Sequence, residues 1–185
     1  MSKKIFCLAL AMMMLVCSTA FAAVPSKTAS DVTSKYVGDT SAYAEDFVIA
    51  VAEADETAQS VLDKIAAFVN DYAVAVVKFF GEDVEEAIAA LLPEGVDAAD
   101  LELAELFPVN IANYDATYGD VQVAFTTLTA ENTAVAVLGA VDGEDVVWTA
   151  LETAVEDGDV VVTFTAEALE TVTGEAVLAF LNTVD

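Results

Sequence analysis

The spacing of apolar and polar residues changes once along the chain, near Tyr118-Gly119. Before that point the period is helical. Val61, Ile65, Phe68 and Val69 form one stripe, which predicts a helix near Asp55–Asn70 with Asp55 as its cap and Glu56 at its positive end. Val84, Ile88, Leu91 and Leu92 share a second face. Asp83, with Glu86 three residues on, is an acidic variant of a capping box, and Pro93 and Gly95 end the segment. A third short helix is expected from Asp97 to Phe107, stopped by Pro108. Phe47–Val51 is β-rich and predicts a strand, whereas Tyr72–Phe80 is a short apolar run that fits helix or strand equally.

After Gly119 the period is two. Val121, Val123 and Phe125 alternate with Gln122, Ala124 and Thr126, and a break at Glu131-Asn132 precedes the run Ala134–Val141. Asp142-Gly143 is a hairpin signal leading into Val146, Trp148 and Ala150, and Asp157-Gly158 is a second one before Val160, Val162 and Phe164. One helical turn is expected over 166–172, and a last strand over Ala176–Leu181. The runs 134–141 and 176–181 are apolar on both faces, which predicts central strands covered on each side. Helices first and strands afterwards predict an α+β fold: N-terminal helices packed on, or followed by, an antiparallel sheet of about five strands, arranged as a meander or as half of an immunoglobulin-like sandwich. The β-half resembles bacterial immunoglobulin-like modules in its Trp-containing hairpin and acidic turns. That likeness is compositional, covers fewer than half of the residues and assigns no family.

The N-terminus changes the reading of the rest. Lys3 and Lys4, the apolar run of 12 residues from Ile5 to Val16, and Ala20-Phe21-Ala22 follow the order of an export signal, with cleavage after Ala22. The alternative, a lipoprotein signal with Cys17 lipidated, fits less well because Met14, Leu15 and Val16 are not small. The Ser/Thr-rich stretch 23–44 reads as a flexible leader, with a first edge strand as its alternative. Residues 45–185 then form one α+β domain, divisible into a helical part (45–108) and a β part (109–185). No stretch beyond the signal reaches the roughly 18–20 apolar residues of a membrane span.

Composition narrows the chemistry. The 185 residues include 32 Asp and Glu, six Lys, no Arg and no His, for a net charge of −26 with 57% hydrophobic residues. Both cysteines and all four methionines lie in 1–22, so four lysines face all 32 acids beyond it, with neither disulfide nor thiol chemistry. A chain so poor in cations has no basic groove for nucleic acid, and without His it has no His-based triad or metal site. Phosphate-binding glycine loops and the Gly-x-Ser-x-Gly elbow are absent. Carboxylates remain. Two of them suffice for glycoside hydrolysis, and acids are also the ligands that calcium accepts.

A meander would bring Asp120 beside the Asp142–Asp145 turn, with Glu167 near, as a calcium candidate formed by Asp120, Asp142 and Asp145. Glu131, Asn132, Glu156, Asp157 and Asp159 would lie at the opposite end. The competing reading is that these Asp residues only form turns. The most site-like loop holds Asn110, Asn113, Tyr114, Asp115 and Tyr118, a mix suited to stacking on sugar rings and bonding their hydroxyls. Its competing reading is a connector with half-buried tyrosines. The expected function is a secreted or envelope-associated acidic interaction module without catalysis, binding an extracellular protein or glycan. The alternatives are a carboxylate-dependent enzyme acting on extracellular glycans and a calcium-dependent carbohydrate-binding domain.

Overall fold

The computed structural model describes residues 32–183, apart from 72–74, 127–132, 143–144 and 173. The expected signal and most of the expected leader, together with Glu131 and Asn132, lie outside the described residues. The fold is mostly β. Strands β1 (Ser34–Tyr36), β4 (Val121–Phe125), β8 (Asp159–Phe164) and β7 (Thr153–Glu156) form one antiparallel sheet in the order β1-β4-β8-β7. Strands β2 (Val48–Val51), β3 (Leu101–Ala112), β9 (Gly174–Thr183), β5 (Thr133–Asp142) and β6 (Asp145–Leu151) form the second, in the order β2-β3-β9-β5-β6. Helices α1 (Glu56–Asp71) and α2 (Glu82–Leu91) lie between β2 and β3 in sequence, and α3 (Ala166–Thr171) precedes β9. No helix among the described residues is long and apolar enough to cross a membrane.

Two apolar layers explain this stacking. One, containing Phe107, Phe125, Phe164, Leu178 and Phe180, fills the space between the sheets. The other, containing Val61, Ile65, Val77, Ile88, Val135, Val137 and Ala179, lies between the five-stranded sheet and the helices. β5 and β9 are therefore covered on both faces, as their two-sided apolarity requires. The helices are not an N-terminal unit. Two strands precede them, and they form an outer layer on a sandwich.

The paired strands also replace the meander. β4 pairs with β1 and β8, whereas β5 pairs with β6 and β9 in the other sheet. β6 and β7 are separated by Glu152 alone, so one nearly continuous strand turns the corner between the sheets. The opposite seam is closed by side chains from β1. Tyr36 Oη donates to Phe47 O (3.1 Å) and accepts from Ile49 N (2.8 Å), and Ser34 Oγ donates to Ile49 O (3.4 Å). From Val32 onward, the Ser/Thr-rich stretch is thus built into the sandwich as an edge strand rather than left as a spacer; Val32 itself is 2% exposed.

The helix expected over Asp97–Phe107 is a strand. Asp97 Oδ1 accepts from Ala99 N and caps only the single 3-10 turn Ala98–Asp100. β3 then starts at Leu101, with a bulge between Leu103 and Glu105. The bulge shifts the phase of alternation, so Leu101, Leu103 and Leu106 face the helix layer while Ala104, Phe107, Val109 and Ile111 face the sandwich core. The resulting spacing imitates a helical one. Pro108 is tolerated mid-strand because its carbonyl faces β2, accepting from Ala52 N, and its missing N–H faces the same way, just past the last β2 residue, Val51.

Candidate functional site

The four described tyrosines gather at the end of the sandwich where β3 leads into β4. Tyr36, Tyr43, Tyr114 and Tyr118 surround Phe47, whose ring centroid lies 5.5, 5.3, 6.0 and 5.2 Å from theirs. The loop that sequence pattern singles out is half of this cluster, and its polar atoms are already engaged. Asn113, at φ 59°, donates from Nδ2 to Asp46 O (2.9 Å). Tyr114 Oη donates to Gly119 O (2.9 Å), and Tyr118 Oη accepts from Ala44 N (3.0 Å). Asp115 Oδ1 accepts from Thr117 N and Oγ1, capping the turn Ala116–Tyr118. Asn110 sits within β3, paired across to Ala50 and Glu175. The rings face one another rather than a common open plane, and the hydroxyls of Tyr114 and Tyr118 hold the chain to itself. Beside the loop, a groove of about 530 Å³ is lined by Asn113, Tyr114, Leu169, Glu170 and Gly174.

The cluster shifts its own titrations. Burial pushes the Tyr36 hydroxyl up, opposed by the bond from Ile49 N, with Tyr43 adding to the rise. Tyr114 is raised by desolvation and then by the charges of Glu170, Asp120 and Asp115. Asp115 is held below the usual carboxylate range by its bonds from Thr117, and Asp39 by its bonds from Ser41. A tyrosine raised in the folded state keeps its proton after the unfolded chain has lost it. Its contribution is intact below the unfolded value of about 10 and is lost as pH climbs through the folded value. The melting temperature should therefore fall steeply above about pH 10. Tyr36→Phe should lower it at neutral pH, by loss of the seam bonds, and flatten the alkaline slope. An unchanged slope would show that Tyr36 ionises freely. The two low aspartates act at the other end of the scale, where their contribution disappears as pH falls through their folded values.

The calcium candidates belong to two sheets: Asp120 precedes β4, and Asp142 and Asp145 lie on β5 and β6. Asp120 Oδ1 accepts from Ala166 N (2.9 Å) at the start of α3, where Thr165 Oγ1 accepts from Ala168 N. Asp142 and Asp145 pair across the β5–β6 hairpin, at the same end of the sandwich but in the other sheet. The Asp142 side chain lies outside the described residues, as do Gly143 and Glu144. Glu167 is exposed in the first turn of α3. At the far end, Asp157 (φ 53°) and Gly158 (φ 91°) form the primed turn between β7 and β8, flanked by Glu156 and Asp159, and Asp159 Oδ1 accepts from Thr126 Oγ1. Among the described residues, no three acids are grouped to hold a metal ion.

Two features escape the sequence pattern. α2 is capped by Gly81 at φ 96°, two residues before the expected cap Asp83, which lies inside the helix, and it turns Glu82, Glu85 and Glu86 toward an open groove of about 690 Å³ that Asp97 also lines. Lys78, from the 3-10 turn Val76–Phe79, reaches into it and pairs with Glu85 at 2.6 Å. The other feature is Glu105, 1% exposed on the bulge of β3 and the one charged residue buried among those described. The bulge that puts it there makes the local spacing look helical, so the pattern does not mark Glu105 as buried.

The chain matches no family model, no curated protein and no solved structure.

Proposed function

We propose that the protein is an exported, acidic interaction module without catalysis, acting at a cell surface or outside the cell. The observation that carries this reading is the state of its polar groups. The loop best suited to a small ligand is spent on internal bonds, while the acids whose side chains are described, Glu105 aside, lie on partly or fully exposed positions. A carboxylate-dependent hydrolase needs one acid kept protonated by burial beside a second carboxylate. A chain carrying 32 acids against four lysines from Ala23 onward instead offers long-range attraction to cationic partners. The test is an array of glycans and matrix proteins probed with the chain from Ala23 onward, read for retention and for cleavage. Retention without cleavage supports a module. Cleavage that Glu82→Gln or Glu86→Gln abolishes would move the reading to an enzyme working in the α2 groove.

The same charge sets an expectation for stability. Repulsion among exposed acids weakens with screening, so sodium chloride should raise the melting temperature progressively. A melting temperature that stays flat from low to high salt would show that the acids are too dispersed to repel.

A further inference from the structure

We propose that the outer edge of β7 docks an extended cationic segment of a partner protein, which adds to the four-stranded sheet as a fifth strand. The proposal rests on the module reading and names its surface. β7 ends its sheet, and no strand among the described residues pairs with its far side. Glu156 and Asp159 flank a two-residue turn and therefore exchange both backbone bonds. Ala154 and Glu152 repeat that phase, and Thr163 N donates to Glu152 O as it requires. The backbone groups of Thr153 and Val155 consequently point outward, away from β8. Ala154, Val155 and Glu156 are all exposed, and Val155, at 45%, is one of three large apolar side chains exposed among the described residues.

Charge decides which strand fits. Glu152, Glu156 and Asp157 stand along this edge, and all three are exposed. No described lysine is near in sequence or register: Lys35 is on β1 at the opposite edge, Lys64 is on α1, and Lys78 is paired with Glu85. A second copy of the chain would bring acid against acid, so the edge is closed to its own kind. The same acids complement a strand with Lys or Arg opposite Glu152 and Glu156. Alternation puts Val155 on the other face, where the partner's residue should be apolar.

A synthetic peptide of alternating lysine and valine is the probe, with a glutamate-valine peptide as its control. Amide exchange by NMR should slow at Thr153 and Val155 when the lysine peptide is added, and stay unchanged at Ala154 and Glu156, which are already bonded to β8. Binding should weaken with salt, and Val155→Lys and Glu156→Lys should each reduce it several-fold while the thermal transition persists. Equal binding of the glutamate peptide, binding without protection at Thr153 and Val155, or dimers that Val155→Lys dissolves would each overturn the docking edge. If the array retains a ligand while these two amides stay unprotected with the peptide, the edge fails and the module stands. Cleavage of an array ligand removes both.

Discussion

Gly139→Ala is expected to destabilise the fold by about 3 kcal/mol or more, at the upper end for overpacking a close-packed core. A methyl group placed on Gly139 would lie 2.3 Å from the ring of Trp148, directly across the β5–β6 pair. That ring is partly buried and held by aromatic neighbours. Phe79 and Phe80 hold it edge-on at centroid distances of 5.8 and 5.0 Å, and Phe68 packs in turn on Phe79 at 5.3 Å. Glycine is required here for space. Urea unfolding followed by the fluorescence of Trp148, the only tryptophan, reads the loss directly. Combining Gly139→Ala with Trp148→Leu should cost less than the sum of the two single changes, because the clash disappears with the ring. A loss under about 1 kcal/mol for Gly139→Ala alone would mean that the aromatic group repacks freely.

Phe47→Ala should cost about 3–5 kcal/mol, the range for truncating a buried aromatic side chain. Phe47 is 4% exposed, and four tyrosine rings close around it. Removing it withdraws the common contact of the β1–β2 segment and the β3–β4 loop. Chemical denaturation measures the loss, and near-ultraviolet circular dichroism should show the tyrosine signals collapsing with it. A small loss with intact tyrosine signals would show that the rings hold themselves, leaving Tyr114 and Tyr118 free to act as a ligand surface.

What was legible in the sequence was local. Asp55 caps α1 as its position implies, with Oδ1 accepting from Thr57 N and Ala58 N. Asp157-Gly158 forms its turn because both residues take positive φ, which that hairpin demands. The doubly apolar runs became β5 and β9 because only covered strands can be apolar on both faces. What stayed hidden depends on partners distant in the chain. β4 pairs with β8 about 40 residues on, and the same alternation would serve a meander equally well. The β3 bulge disguised a strand as a helix, and β1 carries too few apolar residues to announce itself. The candidate loop shows the same divide. Its residue types were evident, but their use in holding Asp46, Ala44 and Gly119 was not, since the first two of those contacts span 67 and 74 residues.

The most direct test of the central claim is to titrate a ligand retained by the array against the chain by calorimetry across a range of ionic strength. An acidic binding module predicts affinity that declines steadily as salt rises, with the ligand recovered chemically intact. Affinity indifferent to salt, or a ligand recovered cleaved, would contradict it.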